Sequence, residues 1–301
     1  MLVRLWPLAP ARSAAGTFPW AAYLGLLKLR IVALLVFVSL VAAVLAGHGT
    51  VPAGQMLLLA LAGALSSAGA AALNQYFERD LDAAMARTRR RPLPAGKVAP
   101  RAALSLGIAL IIAALPPALA IGAGTTIAVL AGALCYVVIY TLWLKRSSAW
   151  NVPIGGIAGS CAVLAGWLAM HADPLAPAPL FMATILFFWN QSHFWAFAIA
   201  RQEEYWLVGV PMLPVVVGPR PASRAIFVNT LALVLASLAM YFVAPMGAVY
   251  LVGAALVGAL FLYFNLRLVA TPTPQVGWSN FKFSGIYLLV LFLAMAVDSV
   301  L

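Results

Sequence analysis

The sequence predicts an all-α polytopic membrane protein, nine transmembrane helices in one bundle with a cavity facing the cytoplasm. Three observations carry that reading. Of 301 residues, 65% are hydrophobic and 8% charged, against about a quarter charged in soluble domains, so too few charges exist to coat a soluble fold of this size. The apolar residues gather into runs long enough to span a bilayer. The basic residues, eighteen Lys and Arg against seven Asp and Glu, fall into alternate connections between those runs. Together these exclude a water-soluble enzyme, a disordered chain and a disulfide scaffold. The pI near 10.2 then reflects the excess of Lys and Arg that cytoplasmic loops carry, and no nucleic-acid partner is implied. Cys135 and Cys161 stand alone in apolar runs, with no pattern for a metal or a disulfide.

Taken in order, residues 1–20 read as a cytoplasmic tail. Arg4 ahead of an apolar stretch imitates a signal peptide, but Pro7, Pro10 and Arg12 cut that stretch short. A span needs roughly 17–25 mostly apolar residues. Nine runs qualify, at about 25–46, 55–77, 102–121, 125–143, 152–171, 180–200, 224–243, 248–266 and 283–300. Arg4, Arg12, Lys28 and Arg30 precede or open the first. Arg79, Arg87, Arg89, Arg90, Arg91, Lys97 and Arg101 follow the second, Lys145 and Arg146 the fourth, Arg201, Arg220 and Arg224 the sixth, Arg267 and Lys282 the eighth. The intervening connections hold no basic residue, which puts the N-terminus inside and the C-terminus outside. With no internal repeat or low-complexity linker, residues 21–301 read as a single domain.

Five of the seven acids lie at two cytoplasmic helix ends, where carboxylates gain nothing from membrane insertion and are more often functional. If the second span continues as an α-helix, Asn74, Glu78 and Asp82, four residues apart, fall within an arc of about 80° at about 100° per residue. Hard oxygen donors of this kind bind Mg²⁺ beside a diphosphate, leaving the rest of the shell to water and phosphate. The alternative is a solvated helix end whose acids offset Arg79 and Arg87. The dense Arg87 to Arg91 run just downstream favours a metal-bridged polyanion, and Asp80, far round the helix, suits an Arg partner. In the second cluster, Trp189, His193, Phe197, Ala200 and Glu204 recur at helical spacing and form an aromatic stripe leading to a carboxylate. An intramembrane His is as often a hydrogen-bonded packing residue as a ligand, but Asn190, Gln191 and Ser192 beside it need a cavity or partners. Carboxylates at the mouth and aromatics deeper in suit a diphosphate attached to a greasy tail.

These residues resemble the motifs of the UbiA-type intramembrane prenyltransferases, and among them the heme-farnesylating branch. The NxxxDxxxD motif is matched by Asn74, Glu78 and Asp82, with Glu for the first Asp. The extension D-x-D-x-x-M-x-R-T-x-x-R-P-L is matched at Asp80, Asp82, Met85, Arg87, Thr88, Arg91, Pro92 and Leu93. Tyr140-Thr141, Lys145-Arg146, Asn151, Gly155-Gly156 and Gly166-Trp167 resemble the region of the fourth and fifth spans. His193-Phe194-Trp195, Glu204-Tyr205 and Gly209 to Pro214 resemble the later elements. The chain departs from the pattern at Ser148-Ala149, Ala162-Val163 and Gln191-Ser192, where prolines are usual.

The resemblance implies a Mg²⁺-dependent transfer of the farnesyl group of farnesyl diphosphate to a vinyl group of protoheme IX (heme B), giving heme O. Glu78 and Asp82, helped by Asn74, are then expected to hold one Mg²⁺, and Glu203 or Glu204 a second. Arg87, Arg91, Lys145 and Arg146 are expected at the leaving group, and Asn151, His193, Trp195 and Tyr205 among the substrate-binding residues. His193 is a contact to the porphyrin or its iron, or simply a hydrogen-bonded helix residue. The resemblance places the protein in the cell (inner) membrane, with a heme A synthase as a downstream partner. Two other readings stand beside it, a related prenyltransferase acting on a quinone precursor or chlorophyllide, and an ion-coupled transporter. The transporter reading is weakened by the gathering of acids at one face rather than at mid-membrane.

Overall fold

The computed structural model describes residues 20–301, so the tail assigned to residues 1–20 lies outside the described residues except for Trp20. The helices are α1 (Trp20–Leu26), α2 (Leu29–Ala46), α3 (Ala53–Phe77), α4 (Arg79–Ala84), α5 (Pro100–Ala113), α6 (Leu115–Ile121), α7 (Ala123–Leu134), a π-helix (Cys135–Leu144), α8 (Lys145–Ser147), α9 (Asn151–Leu168), α10 (Pro177–Ala200), α11 (Gln202–Leu207), α12 (Leu213–Val217), α13 (Pro219–Val243), α14 (Ala248–Ala270) and α15 (Pro274–Asp298).

Eight helical stretches among the described residues are long and apolar enough to cross a membrane. The remaining expected span, the sixth, is α10, whose 24 residues reach about 36 Å at about 1.5 Å per residue. Its run from Asn190 to His193 makes it the most polar of the set, and the fold shelters it by packing it against α9, α13 and α15.

Several expected boundaries are corrected. The third span breaks at Ala114, where Pro116 and Pro117 remove backbone donors and α6 starts anew. The fourth changes from α7 into a ten-residue π-helix. The ninth begins at Pro274, its end capped by the Thr273 hydroxyl, so Lys282 sits inside a helix rather than in a connection. Likewise α13 already starts at Pro219, which takes up Arg220 and Arg224.

The main core joins α2, α9, α10, α13, α14 and α15 through Val38, Trp167, Ile185, Leu233, Phe261, Tyr287 and Phe292. A second cluster, at the end of the bundle where α3 gives way to α4, gathers Leu81, Met85, Val152, Ile199, Tyr205, Met212, Ile226 and Leu268. Glycine sets the closest approaches. A Cβ on Gly166 of α9 would collide with the Ser39 carbonyl of α2, and one on Gly69 of α3 would meet the Gly107 carbonyl of α5 at 2.7 Å.

Candidate active site

The first acidic group forms where α3 gives way to α4. The expected straight helix is kinked at Glu78 (φ −97°, ψ 9°), yet the amides of Glu78 and Asp82 still donate to the carbonyls four residues back, Asn74 and Glu78, at 2.9 and 2.8 Å. The helical step therefore survives the kink, and Asn74, Glu78 and Asp82 are all buried.

Each of the three meets a cation or a cation's partner. Lys145 Nζ donates to Glu78 Oε1 at 2.6 Å. Arg91 Nη1 donates to both carboxylate oxygens of Asp82 at 2.9 Å. Lys28 Nζ donates to Asn74 Oδ1 at 2.6 Å and approaches Tyr136 Oη at 3.2 Å, while Asn74 Nδ2 donates to Thr141 Oγ1 at 2.9 Å. Burial acts to raise the Glu78 carboxyl, but Lys145 and Lys28 outweigh it and hold it below the ordinary carboxylate value. The pair Asp80 and Arg146 is of another kind. Arg146 donates to both Asp80 oxygens at 2.7 and 2.8 Å and to the Phe77 carbonyl at 2.9 Å, but the side chains are 59% and 40% exposed. Arg146, expected at the leaving group, thus clasps the outside of the α3–α4 kink.

Local sequence explains how these cations reach the acids. The Arg-rich loop is pinned by Leu93 and Val98, which pack with Leu26, Ala72 and Ala103, and Thr88 Oγ1 donates to the Asp82 carbonyl at 2.9 Å. The π-helix turns Tyr136, Thr141 and the following Lys145 towards the acids, with Thr141 Oγ1 donating to the Tyr136 carbonyl at 2.8 Å. Wide helical turns of this type concentrate at functional sites.

The second group arrives from α10 and α11. The expected stripe is interrupted, because α10 ends at Ala200 and Glu204 lies in α11. Arg87 closes the gap: its guanidinium lies 5.1 Å from the Phe197 ring centroid and its Nε is 3.9 Å from Glu204 Oε2. Tyr205 is buried between the two groups, its phenol pushed up by burial against the opposing pull of Lys145 and Arg87. Glu204 is half-sheltered and Glu203 exposed, so the structure separates the two candidates.

Deeper in, the polar run of α10 sends its side chains to different neighbours. Asn190 Nδ2 donates to the Val152 carbonyl at 3.1 Å. Ser192 Oγ lies 2.7 Å from Thr230 Oγ1 and accepts from Asn229 Nδ2 at 2.8 Å. His193 is stacked on Trp189 and tilted against Phe281, at centroid distances of 4.5 and 4.3 Å, and Phe281 continues to Phe197 at 4.9 Å. Trp195, two residues on, packs instead beside Phe188, Ala225 and Val228, in a groove between α10 and α13. Asn151 ties the start of α9 to the loop before α12 through Ser148 and Pro211 carbonyls at 2.6 and 3.4 Å.

The oxygens of Asn74, Glu78, Asp82 and Glu204 are hard donors suited to Mg²⁺, and Glu204 Oε2 is buried without a hydrogen-bond partner. Among the described residues no three His, Cys, Asp or Glu converge on one point. The donor set fits an ion whose shell is completed by substrate phosphate rather than a closed protein cage. Lys28, Tyr136 and Thr141 are the residues that motif reading passed over as site members. For Lys28 a signal existed, since a Lys three residues inside a predicted span is costly unless it has a buried partner.

Residues 35–294 match the model of the UbiA prenyltransferase family, and the chain belongs to that family. It is 40% identical over 279 residues to a protoheme IX farnesyltransferase from Roseiflexus sp., covering 92% of this chain and 52% of that protein. It thus spans about half the length of that relative. It is 44% identical over 242 residues to protoheme IX farnesyltransferase 1 of Cenarchaeum symbiosum, covering 80% of this chain and 81% of that one. The fold matches a UbiA homolog from Archaeoglobus fulgidus solved with GPP and Mg²⁺, with a TM-score of 0.66, 19% identity and coverage of 91% of this chain and 99% of that one.

Proposed function

We propose that this multi-pass prenyltransferase is a heme O synthase, moving the farnesyl group of farnesyl diphosphate onto a vinyl carbon of heme B. The observation that carries the reading is the meeting of two sequence-distant acid groups at one cation-lined mouth, backed by a continuous aromatic wall from Arg87 and Phe197 to His193. The names of the relatives supply the acceptor and the donor.

Mg²⁺, held by Glu78 and Asp82 with Asn74 and, for a second ion, by Glu204, would supply charge stabilisation on the diphosphate. Lys145, Arg91 and Arg87 now neutralise those carboxylates. With those carboxylates engaged by the ion, Lys145, Arg91 and Arg87 would be free to face phosphate oxygens, so charge would be exchanged between partners rather than left bare in a low-dielectric site. The C1–O bond of the donor breaks with its electron pair leaving on the diphosphate. The vinyl π pair forms the new bond to C1, and water adds at the cationic carbon left beside the porphyrin, losing a proton. Phe197, Phe281, Trp278 and Trp189 shield the allylic cation from water and offer π faces to it. The mouth faces the cytoplasm of an inner membrane, with the N-terminus inside, the C-terminus outside and residues 21–301 as one domain. The product is a substrate for a heme A synthase.

Mass spectrometry of heme extracted after co-expression tests the proposal. The expected product is heme B enlarged by one farnesyl group plus water. Unmodified heme together with farnesylated 4-hydroxybenzoate or naphthoate would keep the chemistry and reject the acceptor. Ion-coupled uptake in liposomes with no prenylated product would reject the enzyme class. Orientation is read by cysteine labelling, expected from the cytoplasm at Arg90 and Gly218 and from outside at Asp173.

A further inference from the structure

His193 Nδ1 lies 2.6 Å from Ser284 Oγ on α15. Ser284 Oγ has one proton, and its geometry directs that proton to the Phe281 carbonyl at 2.6 Å. In that arrangement the hydroxyl accepts in the contact with the ring, and the proton of the imidazole sits on Nδ1. The Ser284 carbonyl is in turn held by Trp189 Nε1 at 2.6 Å, and the ring itself is clasped between Trp189 and Phe281. Packing thus fixes the orientation of this side chain, and Ser284 is placed to select its Nδ1–H tautomer.

The other nitrogen, Nε2, accepts no hydrogen bond, and no charged side chain acts on the ring. Nor is it a sealed orphan, as Trp195 Nε1 and the Asn280 amide atoms are. A neutral imidazole whose Nδ1–H is engaged by a second residue, leaving Nε2 as an oriented lone pair, is the arrangement protein metal ligands adopt. It is not needed for helix packing, for which any aromatic ring between Trp189 and Phe281 would serve. The aromatic wall runs on from this ring through Phe281 and Phe197 to the mouth, so an acceptor held at His193 lies along the wall that leads to the diphosphate end.

We infer that His193 Nε2 is an axial ligand to the iron of the acceptor porphyrin, and that Ser284 is the positioning residue that sets its tautomer. The inference rests on the heme reading above and deepens it. The step is the donation of one lone pair into an axial position of the iron, displacing water, with no electron transferred. Its consequence is a fixed pivot: with the iron tethered, the ring periphery that carries the vinyl group is presented at a set distance from the donor.

The test uses the full chain in detergent, loaded with ferric heme B, and reads the Soret band, resonance Raman and electron paramagnetic resonance. Wild type is expected to show an imidazole-ligated iron. His193→Gly is expected to lose that signature and to regain it on addition of free imidazole. Ser284→Ala, which leaves Nδ1–H without its acceptor, is expected to weaken heme binding about tenfold, the lower end of what losing such a partner costs at metal sites, with its imidazole signature retained at saturation. Heme bound by His193→Gly with an unchanged spectrum would overturn the ligand assignment while leaving the acceptor reading intact. Absence of any heme binding by wild type, with no farnesylated heme in cells, would overturn both.

Discussion

At the proposed active-site mouth, Glu78, Asp82 and Glu204 keep their charges within the protein because Lys145, Arg91 and Arg87 stand against them. Around His193 and across to α13 and α14, the bundle is also polar, but no ion pair occurs there among the described residues. Ser192, Asn229, Thr230 and Asn265 form a neutral chain of hydrogen bonds at 2.7 to 3.2 Å that ends on the Phe188 and Phe261 carbonyls. The difference follows from what each region must do. Paired charges can change partner when a charged substrate arrives, whereas a satisfied neutral network has no incentive to rearrange and only fixes helix positions.

The sharpest way to break this contrast is to remove one member of a buried pair. Glu78→Ala is expected to lower farnesyl transfer by at least about 10²-fold, as deleting a key charge-stabilising group does. It also strands the Lys145 ammonium, so a loss of about 3–5 kcal/mol in stability is expected as well. Adding Lys145→Ala should restore much of the thermal stability without restoring turnover, which separates the structural half of the pair from the chemical half. Glu78→Asp keeps the charge and should retain measurable activity. If Glu78→Ala turned over normally with unchanged Mg²⁺ dependence, the mouth would be an ordinary solvated helix end.

Gly166→Ala probes packing instead of charge. The collision with the Ser39 carbonyl is expected to cost about 1–3 kcal/mol of stability, read as a lower unfolding temperature in detergent, while the Mg²⁺ dependence of any folded fraction stays the same. A change in that dependence would mean that α2 and α9 set the mouth geometry as well.

Asn229→Leu tests the neutral chain. Interhelical hydrogen bonds in membranes average about 0.6 kcal/mol, so a small drop in thermal stability and near-normal turnover are expected, and a large activity loss would show that this network is part of the site. The smallest effect is expected for Arg146→Gln, because its partner Asp80 is 59% exposed and surface pairs contribute about 0–1 kcal/mol. A loss comparable to that of Glu78→Ala would bring Arg146 back among the residues that meet the diphosphate.

Several features were legible in the chain alone. The span-length apolar runs follow from composition, since lipid leaves a backbone no option but to satisfy itself in helices. The acid and Arg motifs follow from spacing, since residues four apart share a helix face whether or not the helix is later kinked at Glu78. What the spacing could not show was which cation meets which acid. Lys145 lies 67 residues from Glu78 in sequence, and its approach depends on the π-helix, for which Cys135 to Leu144 carry no local signature. Lys28 looked like a flanking charge because its partners, Asn74 and Tyr136, come from two other helices. The polar run of α10 looked like one lining surface, but side chains at successive positions point about 100° apart, and the neighbours α9, α13 and α15 decided that Asn190, Ser192 and His193 serve three separate contacts. Local pattern thus determined the elements and the kind of chemistry, because both depend on residues near in sequence. The pairing of charges and the contact of His193 with Ser284 were decided by tertiary structure, because an ion pair or a hydrogen bond exists only when two distant backbones bring its atoms within reach.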